Sequence, residues 1–207
     1  MNKFAWSFVI ATLAASVSVS AQDTVRPPMS REQGEAYLRG RDADVSRSNL
    51  TAVVMGGDLD AAEALIAAGV DPNEKDRSLP QSILEMATML CMGDRVDEAH
   101  AVAMFGLLLD RGANPNAPGM LGVMISAAQQ CPPSVIKRLV KGGAKLDVRT
   151  PQGFTPLSMA LIVERYDNAE ALIDAGARLS AEGAKKLLAD AKGNERLIKL
   201  IKRASAK

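Results

Sequence analysis

The stretch Ala175-Gly176-Ala177-Arg178-Leu179-Ser180 closes an apolar helical run ending in Leu172-Ile173, and the chain says nearly the same thing three times before it. The earlier copies are Ala68-Gly69-Val70-Asp71-Pro72-Asn73, Arg111-Gly112-Ala113-Asn114-Pro115-Asn116 and Gly142-Gly143-Ala144-Lys145-Leu146-Asp147. They follow Ala64-Leu65-Ile66, Leu107-Leu108-Leu109 and Leu139-Val140. The glycines Gly69, Gly112, Gly143 and Gly176 are 43, 31 and 33 residues apart. A helix that ends on a glycine predicts a left-handed C-terminal turn, and a period near 33 predicts a stack of repeated helical units.

The most complete unit runs from Gly153. Its Gly153-Phe154-Thr155-Pro156-Leu157-Ser158-Met159-Ala160 offers Thr155 as a helix cap and Pro156 at the first helical position, where the missing N–H costs nothing. Leu157, Ala160 and Leu161 give one apolar face. Tyr166-Asp167-Asn168 is expected to break this helix and cap a second, Ala169 to Ala175, with Leu172 and Ile173 buried. These residues resemble the ankyrin repeat, whose pattern is Gly-x-Thr-Pro-Leu-x-x-Ala followed by Leu-Leu-x-x-Gly-Ala-Asp. Ser48-Asn49-Leu50-Thr51-Ala52-Val53, Ser82-Ile83-Leu84-Glu85-Met86-Ala87 and Gly122-Val123-Met124-Ile125-Ser126-Ala127 stand at the corresponding places of the other units. The proline survives only in the last unit, so the other three first helices are expected to begin less sharply.

The resemblance implies an all-α ankyrin-repeat solenoid of stacked helix–turn–helix units with short hairpin loops. Four repeats are assigned to residues 47–76, 77–117, 118–149 and 150–180. Residues 22–46 read as a lead and a capping helix over Ser30 to Arg39, with Asp44-Val45-Ser46 as a worn copy of the turn. Residues 181–207 read as a capping pair, Ala184 to Ala191 and Glu195 to Ile201. Their Lys185, Lys186, Lys192, Lys199, Lys202 and Arg203 suit the wet outer face that the end of a stack needs; a basic interaction patch is the rival reading.

Met1 to Ala21 has a positive start at Lys3, an apolar run and small residues at Val19-Ser20-Ala21, the pattern of a secretory signal peptide cleaved after Ala21. The run is shorter than a membrane span requires. Removing it leaves 186 residues with 24 basic and 24 acidic side chains, so bulk charge recruits neither nucleic acid nor an anionic membrane. The expected location is the periplasm or outside the cell, with no membrane insertion once the signal is gone.

The second repeat is expanded: Ala87 and Gly112 are nine residues further apart than Ala160 and Gly176. The excess lies around Cys91 to Glu98, and either a longer loop or extra turns on both helices accounts for it. Cys91 and Cys131 each stand four residues after their repeat alanine. An even cysteine count in an exported chain favours a disulfide, while the spacing of stacked helices argues for two buried free thiols.

His100 is the single histidine, and with two separated cysteines it supplies no usual tetrahedral zinc site. No nucleophile stands beside it, and Gly56-Gly57 and Gly142-Gly143 lack the ending of a phosphate loop. No catalytic residue, metal or cofactor is therefore expected, and the chain does not read as an enzyme. By the resemblance, partners dock on the loop tips and first helices. Arg77, Met120 and Arg149 are the tip candidates, since Arg and Met suit interface centres. Phe154 and Tyr166 are the nearest aromatics. Met120 serves equally as core, and Phe154 equally packs in its own hairpin. The expected function is an exported, monomeric module that binds another protein, as an inhibitor or immunity-type protein; the alternative is a structural or stress-support scaffold of the envelope.

Overall fold

The structure, a computed structural model, describes residues 27–75, 79–93 and 96–205. The Met1 to Ala21 signal segment and the tip residue Arg77 lie outside the described residues. Eleven α-helices and no strand occur among the described residues. They are α1 (Arg31–Arg39), α2 (Arg47–Gly56), α3 (Leu59–Ala67), α4 (Ile83–Ala87), α5 (Glu98–Asp110), α6 (Val123–Gln130), α7 (Pro133–Lys141), α8 (Pro156–Ile162), α9 (Tyr166–Asp174), α10 (Ala181–Asp190) and α11 (Glu195–Ser205). A 3-10 turn, Thr88–Cys91, continues α4.

The helices contact one another in two rows. In the even row α2 packs on α4, α4 on α6 and α6 on α8; in the odd row α1 packs on α3, α3 on α5, α5 on α7, α7 on α9 and α9 on α11. Each even helix also meets the odd helix that follows it, and α10 packs on α11. Between the rows lies a continuous apolar core, in which Leu50, Leu65, Leu84, Phe105, Leu108, Ile136, Leu139, Leu157 and Leu172 are each at most 1 % exposed. Small residues let neighbours within a row approach closely. A Cβ on Gly34 of α1 would lie 2.6 Å from the Ala64 carbonyl oxygen of α3, so only glycine permits that approach.

The repeated glycine turn has one geometry throughout. Gly69, Gly112, Gly143 and Gly176 take φ of 112°, 87°, 85° and 103°, the left-handed region that glycine enters without penalty. The amide after each glycine reaches back to a buried leucine: Val70 to Leu65 (3.0 Å), Ala113 to Leu108 (2.9 Å), Ala144 to Leu139 (3.0 Å) and Ala177 to Leu172 (2.9 Å). The glycine amide bonds the carbonyl of the residue immediately after that leucine, as a Schellman cap requires. The worn amino-terminal copy closes in the same way, Ala43 N–H to Leu38 (3.2 Å), with Asp42 at φ 51° in place of glycine.

Helix starts depart from expectation in three places. Ser46, two residues before Ser48, caps α2, and Ser82 caps α4; each hydroxyl accepts an amide at 3.2 Å, as Thr155 does in α8, where a capping box and Pro156 add to it. Tyr166-Asp167-Asn168 is not a break and cap: α9 starts at Tyr166 with Arg165 at the cap position and no side-chain cap. The expansion of the second repeat is shared between helix and connection. The odd-row helix α5 has 13 residues where α3, α7 and α9 have nine, and the even-row helix gains only the tight Thr88–Cys91 turn.

Candidate functional site

Most of the exposed large apolar side chains belong to the even-row segments and the hairpins ahead of them; Val45, ahead of α2, and Leu188, on α10, lie beside the clefts at the two ends. Met89 and Met92 end the α4 segment, Met120 and Leu121 precede α6, Phe154 precedes α8, and Ile162 and Val163 end it; all are between 37 % and 59 % exposed. No exposed large hydrophobic lies on the described odd-row helices. Charge is distributed the opposite way. The four even-row helices and the 3-10 turn contain two charged residues, Arg47 and Glu85, and both are buried. Arg47 is held by the Thr51 hydroxyl and the Glu74 carbonyl oxygen.

Glu85 organises this face. Its carboxylate is 5 % exposed and accepts the backbone N–H groups of Met120 (2.9 Å), Leu121 (2.8 Å) and Gly122 (3.2 Å), with the Ser126 hydroxyl at 3.3 Å. Those amides belong to the hairpin just ahead of α6 and to its cap residue, Gly122, which has no side chain of its own to offer the helix. A carboxylate from the preceding repeat therefore pins the chain that leads into the next repeat's helix and holds the Met120 and Leu121 backbone in place. Gly119 is part of the same fit, because a Cβ there would fall 1.9 Å from a Glu85 carboxylate oxygen.

The tips are stitched to one another by two asparagine amides. Asn73 donates to the Gly112 carbonyl (2.8 Å) and accepts the Asn114 N–H (2.7 Å). Asn116 repeats this with the Gly143 carbonyl and the Lys145 N–H, both at 2.9 Å. Behind the face, the Cys91–Cys131 disulfide joins the ends of the α4 segment and α6, with Cα atoms 4.8 Å apart. Helix-axis spacing argued against this bridge. The 3-10 tightening at Thr88–Cys91 and the extended backbone of Cys131 (ψ 163°) replace that spacing with the shorter approach of two chain ends. His100 is near the expansion and donates a ring N–H to the Gly57 carbonyl oxygen at 2.5 Å; this ties α5 to the end of α2.

Among the proposed contact residues, Met120 is 59 % exposed and Phe154 41 % exposed. The Phe154 backbone closes the 150–153 turn by bonding Thr150 in both directions. Arg149 is exposed but folds onto its own hairpin, donating to the Gly153 carbonyl at 3.0 Å. Tyr166 stands apart from these, in the odd row: its hydroxyl accepts the Asn194 amide at 2.7 Å and the Arg196 guanidinium lies over its ring. Hydrogen bonding to Asp167 raises the Arg196 pKa above its ordinary value. Lys186 pairs with Glu182 and Arg203 with Asp174, so part of the carboxyl-terminal positive charge is matched locally.

Glu85, Met89, Met92, Leu121, Ile162 and Val163 are the face residues that tip-based reading passes over. The Ser82-x-x-Glu85 spacing was visible, but it reads as a local capping box, whereas the carboxylate reaches 35 residues ahead. No group of three His, Cys, Asp or Glu able to hold a metal occurs among the described residues. Shallow clefts of about 460 Å³ beside α1 and about 520 Å³ between α10 and α11 lie at the two ends, away from the apolar face. No protein-family model matches the chain, and no curated protein matches it either.

Proposed function

We propose that the chain is an exported ankyrin-type solenoid that binds another protein through the even-row helices and the hairpins ahead of them, and that it blocks that partner as an inhibitor or immunity-type protein. The observation carrying this reading is the segregation of the surface. Exposed Met, Ile, Val and Phe side chains share a side whose helices present no exposed charge. A contiguous apolar patch on one side of a small protein marks an interaction surface, and charge depletion with Met enrichment is the composition of an interface centre. Glu85 and the asparagine stitches hold that surface in one shape before binding, which reduces the ordering cost of association. The Cys91–Cys131 bridge suits an oxidising compartment, as does the leader-like segment Met1 to Ala21.

Capture from periplasmic extract on the chain lacking residues 1–21 tests the proposal. A stoichiometric partner that loses its activity when bound supports inhibition, and one that keeps its activity supports scaffolding instead. Replacing Met89, Met120 and Ile162 together with glutamate abolishes capture if this face is used. Undiminished capture by that variant moves the interface elsewhere.

A further inference from the structure

We propose that Met89, Met92 and Met120 are oxidation sites, each taking one oxygen atom from a peroxide, and that the sulfoxides so formed weaken the docking face. Both cysteines of the chain are joined in the Cys91–Cys131 bridge, so no thiol competes for the oxidant. Thioethers are then the sulfur groups left to react, and attack on them follows exposure. Among the described residues the exposed methionines are Met89, Met92 and Met120, at 40 %, 51 % and 59 %. Met86, Met104 and Met124 are buried at 9 % exposure or less, and Met29, Met55 and Met159 are half-buried. Met89 and Met92 flank Cys91, whose backbone the bridge holds, and the Met120 N–H is held at 2.9 Å by Glu85. Oxidation at these three side chains therefore changes the surface and leaves the packed core alone.

In the step, a sulfur lone pair attacks one oxygen of hydrogen peroxide. The S–O bond forms as the O–O bond breaks, so sulfur is oxidised by two electrons and the peroxide is reduced. The departing hydroxide takes the proton from the transferred oxygen and leaves as water. The product turns a flexible apolar side chain into a polar one. Three of the seven exposed apolar side chains on the even-row segments and their hairpins are these methionines. Their oxygens would enter an interface whose helices present no exposed charge, and a polar group buried there without a partner opposes association. That consequence rests on the docking reading; the assignment of the sites does not. The Gln81 amide already donates to the Met120 sulfur at 3.9 Å, and an oxygen added to that sulfur is a stronger acceptor for the same N–H.

The test treats the chain without residues 1–21 with limiting hydrogen peroxide and maps the added oxygen by fragmentation mass spectrometry, after the disulfide is reduced and alkylated. Oxygen is expected at Met89, Met92 and Met120 ahead of Met86, Met104 and Met124, with the urea midpoint unmoved. The oxidised protein leaves a phenyl hydrophobic-interaction column earlier than the untreated protein, and methionine sulfoxide reductases, one for each epimer at sulfur, return it. The Met89→Leu/Met92→Leu/Met120→Leu variant elutes at one position before and after peroxide. Capture of the partner by the oxidised protein falls about tenfold or more. The proposal is overturned by buried methionines that oxidise as fast, by a lowered urea midpoint, by elution that ignores the added oxygens, or by a triple variant that shifts as the parent does. Capture that survives oxidation at all three sites overturns it too. An untreated protein that captures nothing overturns the docking reading alone, and the oxygen map and the column then decide the sites.

Discussion

Reducing the Cys91–Cys131 bridge removes a cross-link that closes a loop with a sequence separation of 40. The chain-entropy relation puts the denatured-state restriction for a loop of that length at about 4 kcal/mol. The enclosed segment contains α5, the Asn116 stitch and the hairpin held by Glu85, so reduction weakens the junction of the second and third repeats first. In a stack stabilised by neighbour contacts, loosening one junction lowers the stability of the whole array. The assay is urea unfolding followed by circular dichroism, with and without dithiothreitol, alongside the Cys91→Ala/Cys131→Ala double variant. With a urea slope of about 2 kcal/mol per molar, the midpoint falls by about 2 M on reduction. The double variant starts at the lowered midpoint and ignores dithiothreitol. Hydrogen exchange speeds up at the Met92 amide and along α6. A midpoint that moves by less than about 0.5 M in both experiments refutes the reasoning, because the loop would then be restricted without the bridge.

Glu85→Ala leaves the Leu121 and Gly122 amides and the Ser126 hydroxyl without their acceptor; a loss of about 2–3 kcal/mol is expected in urea unfolding, with faster exchange at those amides, and no loss would mean that water serves them equally well. Gly143→Ala and Glu164→Gly should move stability in opposite directions by about 1 kcal/mol, since both positions have positive φ, 85° and 59°, and no heavy atom lies within 4 Å of a Cβ at Gly143; thermal melts of the two variants check the signs. Asn73→Asp keeps an acceptor for the Asn114 N–H but faces a carboxylate oxygen toward the Gly112 carbonyl; about 1 kcal/mol is lost, and Asn73→Ala should cost no more than Asn73→Asp if the donor is what matters.

The parts of this molecule that were legible in sequence are those whose cause is local. A glycine after a leucine-rich run predicts a left-handed stop because the reason lies within six residues, and all four such glycines adopt it. Ser30 as the cap of α1 is of the same kind, with Gln33 completing a capping box. Where local reading failed, the decisive partner was elsewhere. Ser48 aligned with a capping threonine, yet Ser46 caps α2, since register in a degenerate repeat drifts where the proline is missing. Tyr166-Asp167-Asn168 looked like a helix break. Instead the Asn168 amide is buried and donates to the Ala128 and Cys131 carbonyls at 3.0 and 2.8 Å, closing the end of a helix nearly forty residues earlier.

The same division explains why the candidate face was only half visible. Met120 reads from the sequence as a tip residue, and its position depends on Glu85, whose partners lie in the following repeat. Glu63 is the odd-row counterpart: buried at 4 % exposure, it accepts the Met29 N–H at 2.9 Å and pairs with Arg111 at 2.5 Å, joining the amino-terminal lead to the second repeat. Each buried carboxylate thus crosses a repeat boundary to satisfy donors that its neighbour leaves open. A buried charge of this kind is retained only where its hydrogen bonds are complete, because truncating either partner strands the other out of water. Glu85 and Glu63 therefore tie the geometry of one repeat to that of the next, on opposite rows of the stack. The even-row surface between Met89 and Ile162 is a product of that coupling. Glu85→Ala should consequently disturb partner capture as well as stability, while Glu63→Ala, on the other row, should lower stability and leave capture by the folded fraction intact.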